Sequence, residues 1–398
     1  MSDGTGGPLA LVPDATDETG GKGGPLALVP DATDETGGTG GPLALVPDAI
    51  RAMARYEVPH PPGIVAKLDA NESPFALAPD IAAELGGVLA GVALHRYPAG
   101  DSPALRALIS REHDVAPDAL VFGNGSDELI ALVIAAFSRA QGAARPRVVY
   151  PSPSFAVYRI AAASHGADAV EVPLCADFTL DEAALAGTLA AAPANVVFFA
   201  LPNNPTGTLF PPEAVLATAA QHPDVVVVSD EAYFEYAGVT LLGELPRYPN
   251  LVVLRTVSKI GLAALRCGYL VAHPDLAREV EKVRPPYNLG SLNQVAAAWL
   301  LERHGPSLRA RAAEVVAERD RLAVELAAIV GVTLFPSRAN FLLFRVADAR
   351  ACWTRLVERG VLVRNLDRPG ALAGCLRVTV GTREENELFL SAQREAMR

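Results

Sequence analysis

Cysteine is scarce in this chain, and where it occurs it is isolated. Cys175, Cys267, Cys352 and Cys375 form no Cys-x-x-Cys pair and no Cys/His cluster with metal-ligand spacing. No metal centre is expected, and the four read as buried thiols of a reducing compartment. Positive charge is short as well: 34 Lys and Arg stand against 45 Asp and Glu, a net charge of -11. The arginines are scattered, and no basic run alternates with aromatics. A nucleic-acid partner is therefore not expected, because affinity for a phosphate backbone needs clustered cations. Long apolar runs are missing too. The longest, Leu129 to Phe137, is closed off by Asp127-Glu128 and Ser138-Arg139, well short of the ~20 residues that span a bilayer. The opening Met-Ser-Asp-Gly-Thr-Gly-Gly has neither the basic nor the apolar region of a signal peptide. A cytoplasmic protein without a membrane partner is the expectation.

What is present suits a large enzyme. The 398 residues are 50% apolar and 20% charged, enough for one or two domains with a sizeable core. The first part of the chain stands apart. Gly-Gly-Pro-Leu-Ala-Leu-Val-Pro-Asp-Ala-Thr-Asp-Glu-Thr-Gly-Gly occurs at 6–21 and again at 23–38, and its first nine residues recur from Gly40 to Asp48. Too few copies exist to bury a core, so residues 1–48 read as a flexible low-complexity tail. Ala49 to Tyr56 then reads as the first helix, in an arm over 49–62. Removing residues 1–38 is expected to leave catalysis intact. A truncated protein that folds but loses activity, compared with the full chain in the same assay, refutes this.

From residue 63 the pattern alternates strands and helices. Short apolar runs lie at Leu120–Phe122, Arg147–Tyr150, Ala169–Val172, Val196–Ala200, Val225–Val228, Leu251–Leu254 and Gly268–Val271. Ala-rich segments of helical length separate most of them. Continuous rather than alternating apolar strands imply burial on both faces, and hence an α/β fold with a mostly parallel sheet flanked by helices. This large domain is expected over 63–288. After Pro285 to Gly290 the pattern changes to two helices, Leu292–Arg303 and Pro306–Ile329, then mixed strands and helices. A smaller α+β domain is expected over 289–398.

Three of the large-domain strands end in polar clusters: Asn203-Asn204-Pro205-Thr206-Gly207, Ser229-Asp230-Glu231-Ala232-Tyr233, and Ser258-Lys259 with Arg266 seven residues on. Ligands of such sheets sit at the carboxyl ends of strands. An amine, a carboxylate, a phenol and an amide in that order suit pyridoxal 5'-phosphate, whose electron sink needs an anchoring lysine, a partner for the ring nitrogen and phosphate ligands. Lys259 can form the imine and later shuttle a proton. Asp230 can keep the ring nitrogen protonated, and Tyr233 with Asn204 can bond the ring's phenolic oxygen. Asn204-Pro205-Thr-Gly also reads as a turn, with a cis Asn204–Pro205 bond. Gly123-Asn-Gly-Ser126-Asp127 joins a strand to a helix, a junction that offers N–H groups and a positive helix end to a phosphate. Ser258 and Arg266 can add side-chain contacts there. Phe155 reads either as a ring that stacks on the cofactor or as a core aromatic.

At these residues the chain resembles the fold-type I pyridoxal-phosphate aminotransferases, most closely their histidinol-phosphate subgroup, from about Leu68 onward. The motifs are Leu-Asp-Ala-Asn71-Glu-Ser-Pro, Arg-Tyr97-Pro, Gly-Asn-Gly-Ser-Asp-Glu (123–128), Pro-Asn-Asn-Pro-Thr-Gly (202–207), Ser-Asp-Glu-Ala-Tyr (229–233), Ser-Lys (258–259), Leu-Arg-Cys-Gly-Tyr (265–269) and Leu-Arg-Val-Thr-Val-Gly-Thr-Arg-Glu-Glu (376–385). The resemblance implies that Lys259 carries the cofactor, Asp230 pairs with its ring nitrogen, and Asn204 and Tyr233 hold its phenolate. Ser126, Asp127, Ser258 and Arg266 then bind its phosphate. Tyr97 reaches the phosphate of a neighbouring subunit, which implies a homodimer with shared active sites. Arg377 receives the amino acid's carboxylate, Arg364 helps to bind the phosphorylated substrate, and Asn71 joins them on the substrate side. The implied reaction is ping-pong transamination between L-histidinol phosphate and 2-oxoglutarate, in histidine biosynthesis. Aromatic-amino-acid aminotransferases and threonine-phosphate decarboxylases share the cofactor residues, and a non-catalytic ligand sensor is a rival of another class. The interval from Lys259 to Arg266 is one residue shorter than the family's common form, with Ala264 where Gly is usual, which predicts a tighter loop.

Overall fold

The computed structural model describes residues 41–55, 59–142 and 144–398. The two full repeats of the tail lie outside the described residues. The chain divides into two units, Met1–Tyr56 and Glu57–Arg398. In the first, a 3-10 turn Gly41–Leu45 precedes a single-turn helix α1 (Asp48–Arg51), and Arg51 Nη2 donates to Leu43 O at 2.7 Å. The helix expected to continue towards Tyr56 stops at Arg51.

Among the described residues, the second unit contains two sheets. Its strands are β1 (Ala66–Leu68), β2 (Leu120–Asn124), β3 (Arg147–Ser152), β4 (Asp168–Pro173), β5 (Val196–Ala200), β6 (Val226–Asp230), β7 (Leu251–Thr256), β8 (Cys267–Ala272), β9 (Thr333–Leu334), β10 (Phe341–Arg345), β11 (Val361–Asn365) and β12 (Cys375–Thr379). Its helices are α2 (Pro79–Ala90), α3 (Pro103–His113), α4 (Gly125–Phe137), α5 (Ala156–Ser164), α6 (Glu182–Ala191), α7 (Pro212–Gln221), α8 (Phe234–Ala237), α9 (Pro274–Val283), α10 (Ser291–Ala327), α11 (Ala349–Glu358) and α12 (Arg383–Ala396).

The larger sheet has seven strands in the order β2-β8-β7-β6-β5-β3-β4, all parallel except β8, which runs antiparallel to both neighbours. Its central strands are buried on both faces, as their unbroken apolarity requires. Val197, Phe199, Val227 and Val253 face one core, which contains residues of α3, α7 and α10. The alternate residues Val196, Phe198, Val228 and Val252 face a second core with α4, α5 and α9. The smaller sheet has five strands in the order β1-β11-β12-β10-β9.

The structure corrects three expectations. Residues 66–68, read as part of the large domain, form β1, which pairs in parallel with β11 at the edge of the smaller sheet. The two helices expected either side of Pro306 are one 37-residue helix, α10. Proline removes a backbone donor and normally breaks a helix. Here both halves bury an apolar stripe, Ala296, Ala297, Leu300 and Leu301 before the proline and Leu308, Ala312, Val315, Leu322 and Leu326 after it. Tertiary burial outweighs one lost hydrogen bond. Of the four thiols, Cys175 is exposed and the other three are buried.

Candidate active site

Strands β5, β6 and β7 are neighbours, so their carboxyl ends bring the three polar clusters side by side. Ala200 lies opposite Asp230, and Asp230 opposite Leu254. Leu201 N–H donates to Asp230 O at 2.8 Å and Glu231 N–H to Leu254 O at 2.9 Å, continuing the ladders just past the strands.

The two asparagines after β5 have different tasks. Asn203 is wholly buried and structural: Nδ2 donates to Pro153 O at 2.9 Å and to Thr206 Oγ1 at 2.8 Å, and Oδ1 accepts from Ser154 Oγ at 2.7 Å. Those bonds shape the turn, which contains the cis Asn204–Pro205 peptide expected from the sequence. Asn204 is left to face the other sheet, where its Oδ1 accepts from Arg377 Nη1 at 2.6 Å. Arg377 is buried, also donates from Nη2 to Asp69 O at 2.7 Å, and lies 5.1 Å from the centre of the Phe341 ring.

Asn71, with φ +55°, follows β1. Its Nδ2 donates to Tyr233 Oη at 2.8 Å, and its N–H donates to Thr379 Oγ1 at 2.9 Å. Asn71 is thus joined to Tyr233 across 162 positions of chain, and Asn204 to Arg377 across 173. Lys259 Nζ stands 5.4 Å from the centre of the Tyr233 ring. Arg364 on β11 is directly opposite Arg377 on β12 in the antiparallel register.

Asp230 is 4% exposed and forms no ion pair among the described residues. Its Oδ2 accepts from Tyr158 Oη at 2.7 Å and its Oδ1 from Ala232 N–H at 3.2 Å. Burial pushes its carboxyl up to about 6, with the Tyr158 and Ala232 donors opposing the shift.

A second cluster forms where α4 begins. Gly125 has φ +77°, and a β-carbon there would lie 2.8 Å from Arg266 Nη2. Arg266 Nη2 is 3.0 Å from Asp127 Oδ2, both side chains being about half exposed. Gly268 on β8 presses on the same junction: a β-carbon at 268 would lie 2.6 Å from the Gly125 carbonyl carbon and 2.8 Å from Ser126 N. Ser258 N–H donates to Thr256 Oγ1 at 3.1 Å, one strand away from Gly268. The shortened loop between Lys259 and Arg266 is tight, two 3-10 turns with Gly261 at φ +98° and Arg266 at φ +46°. Its guanidinium nonetheless reaches the start of α4.

Two predicted residues stand apart. Phe155 is half-buried, edge-on to Tyr158 with ring centres 5.9 Å apart. Tyr97 is 81% exposed and stacks on Tyr287 at 4.8 Å. No metal-ligating cluster of His, Cys, Asp and Glu occurs among the described residues.

Four supporting residues were given no role by the sequence. Tyr158 and Tyr236 read as core aromatics, yet Tyr158 bonds Asp230 and Tyr236 Oη donates to the Lys259 carbonyl. Arg255 and Glu231 form a buried ion pair, with Arg255 Nη2 2.9 Å and Nε 3.1 Å from Glu231 Oε2. Arg255 also lies over the Phe234 ring, and Glu231 Oε1 accepts the Leu241 N–H at 2.7 Å. This pair locks the ends of β6 and β7 beside Asp230 and Lys259. Replacing Arg255 by Met strands a buried carboxylate and is expected to cost about 3–5 kcal/mol. Urea unfolding of the two proteins measures it, and a loss below about 1 kcal/mol would place the pair among weak surface-type contacts.

The model of the family "Aminotransferase class I and II" matches residues 63–392. Histidinol-phosphate aminotransferase 2 of Cupriavidus pinatubonensis is 45% identical over 351 residues, covering 86% of this chain and 94% of the relative. Histidinol-phosphate aminotransferase 1 of Ralstonia nicotianae is also 45% identical over 351 residues, with coverage of 86% and 92%. Among solved structures, the histidinol-phosphate aminotransferase of Sinorhizobium meliloti, in complex with pyridoxal-5'-phosphate, superposes with a TM-score of 0.75 at 27% identity, covering 84% of this chain and 91% of that one. An α/β sheet with one antiparallel strand, polar strand ends and a match over most of the second unit lead to one conclusion: the chain belongs to the aminotransferase class I and II family.

Proposed function

We propose that this protein is a pyridoxal 5'-phosphate-dependent aminotransferase that transfers an amino group between L-histidinol phosphate and 2-oxoglutarate, a step of histidine biosynthesis. The observation that carries the substrate assignment is the Arg364–Arg377 pair. The antiparallel register sets the two arginines opposite one another on adjacent strands, on the same face of the smaller sheet, and two guanidiniums on one face can give charge-assisted bonds to a dianionic phosphate or a carboxylate. The relatives' shared name points to the same substrate.

The residues present fit the cofactor. A buried carboxylate held by two neutral donors, and in no ion pair among the described residues, suits a protonated ring nitrogen. When bound, pyridoxal phosphate supplies an electron sink for charge left on the substrate carbon. Lys259 Nζ carries the proton to and from that carbon. Asn204 Oδ1 is engaged by Arg377, so its Nδ2 donors remain for the ring's phenolic oxygen. Tyr233 Oη accepts from Asn71, so its own proton is available to that same oxygen. The N–H groups opening α4, with Ser126, Asp127, Ser258 and Arg266, form the phosphate subsite. Phe155 flanks the ring, and Asn71 with the two arginines forms the substrate side.

The active form in this reading is a cytoplasmic homodimer with shared sites. Tyr97 and Tyr287, stacked on one another, are 81% and 47% exposed, an aromatic pair that a second copy would cover. From there Tyr97 would serve the partner's phosphate subsite. Among the described residues no helix is long and apolar enough to cross a membrane.

Glutamate formation from 2-oxoglutarate tests the reading, with histidinol phosphate, phenylalanine and threonine phosphate as competing amino donors. Histidinol phosphate should be the preferred donor. A clear preference for phenylalanine, or release of carbon dioxide from threonine phosphate, would overturn the substrate assignment. Failure with every donor despite bound cofactor would favour a ligand sensor.

A further inference from the structure

Tyr158 ties helix α5 to the acid of the site. Its side chain is wholly buried. The ring stacks on Phe198 with centres 4.7 Å apart and planes 17° from parallel, and Phe155 meets it edge-on at 5.9 Å. Packed on both sides, the phenol cannot swing away, and its oxygen stands 2.7 Å from Asp230 Oδ2. A phenylalanine would fill the same slot without the cost of burying a hydroxyl. The hydroxyl is therefore there for its partner, and that partner is the carboxylate on which the proposed site depends.

The electrostatics agree with this geometry. Burial, together with the charges of Asp127 and Glu231, drives Asp230 towards its neutral form, whereas the Tyr158 hydroxyl and the Ala232 N–H favour the anion. Burial holds the Tyr158 phenol itself far above its ordinary value, so it remains a donor.

We propose that Tyr158 is a positioning residue for the proton on the cofactor's ring nitrogen: its phenol fixes the Asp230 carboxylate in one orientation and holds it ionised, so the proton stays on the ring rather than moving to Asp230. The proposal rests on the cofactor reading given above. It assigns a role to a residue that the strand-end clusters do not contain. It also gives a role to the two neutral donors that oppose the effect of burial on Asp230.

The test compares the wild-type holoenzyme with Tyr158→Phe, both loaded with ring-15N pyridoxal phosphate at one pH. In the wild type the 15N resonance should lie at the protonated position, and in Tyr158→Phe it should move towards the unprotonated one. Losing a hydrogen bond to a charged group should also weaken cofactor retention and lower kcat by about tenfold to about a hundredfold, with KM for histidinol phosphate little changed. Substituting 3-fluorotyrosine at 158 keeps the shape and strengthens the donor, so it should hold the resonance at or beyond the wild-type position. This second protein decides the matter if Tyr158→Phe does not fold. An unmoved resonance with kcat within about twofold in Tyr158→Phe, far below the loss of a charged hydrogen bond, would overturn the proposal. So would a 3-fluorotyrosine protein whose resonance moves towards the unprotonated position. A wild-type protein that takes up no cofactor would overturn the cofactor reading itself, a result distinct from either.

Discussion

Lys259→Ala is expected to abolish transamination, lowering kcat by about ten-thousandfold, the upper end of what a positioned acid–base contributes, while leaving the protein folded. The residue follows β7, a strand whose six residues are all buried, and its carbonyl is gripped by Tyr236. The backbone is therefore placed by the core, and the side chain beyond it is spared structural work. Its Nζ has no ion pair among the described residues and lies 5.4 Å from the Tyr233 ring centre. Lys259→Arg should be equally inactive, because a guanidinium keeps the charge but cannot give up its proton near neutral pH. Two measurements check this. Steady-state glutamate formation reads the rate, and mass spectrometry after borohydride reduction reads whether cofactor is fixed to the chain at residue 259. Activity in Lys259→Ala within about tenfold of wild type, a loss smaller than general acid–base catalysis supplies, would remove the amine from the mechanism.

Arg377→Ala should give the second-largest effect, and one confined to particular substrates. Arg377 is 8% exposed and already held by Asn204 Oδ1 at 2.6 Å and Asp69 O at 2.7 Å. A guanidinium pre-set in this way loses little freedom when it takes a carboxylate. Removing one member of a buried, hydrogen-bonded charge pair costs about 2–5 kcal/mol, which is roughly thirtyfold to several-thousandfold in kcat/KM for glutamate. Arg364→Ala, one strand away, should instead raise KM for histidinol phosphate and largely spare the glutamate half-reaction. The Tm of each variant, measured beside the kinetics, separates lost binding from lost folding. If kcat/KM for glutamate survives Arg377→Ala within about threefold, well short of a lost buried charge pair, the carboxylate is bound elsewhere.

The features that could be read directly from the residues are those that depend on near neighbours in sequence. Unbroken runs such as Val196–Ala200 can lie only between two layers, and their alternate residues do face two separate cores. Asn, Pro and Gly after β5 announce a turn, and a glycine-rich junction announces the start of α4. The order of the polar clusters along the chain was legible for the same reason, since each directly follows its strand. Pro306 shows where such reading stops. A local rule splits α10, but the leucines and alanines on either side of the proline pack against distant helices and strands, and only those contacts settle the matter. Tyr158 and Tyr236 illustrate a second limit. On a helix, a tyrosine that fills the core and one that steers a carboxylate or a backbone have the same pattern.

By itself the sequence determined the strands, their burial on both faces, the polar ends of β5, β6 and β7, and the identity of the lysine and aspartate that follow them. Each of these follows from local backbone preference and from the free energy of removing apolar surface from water. Only the tertiary structure decided which side chains meet. It set Asn71 against Tyr233, Arg377 against Asn204 and Arg364 opposite Arg377, and it moved β1 into the smaller sheet. Contacts of this kind reach as far as Asn71 and Thr379, 308 positions apart. They exist because two sheets pack in one unit, and no periodicity along the chain encodes which polar groups that packing brings within hydrogen-bonding distance.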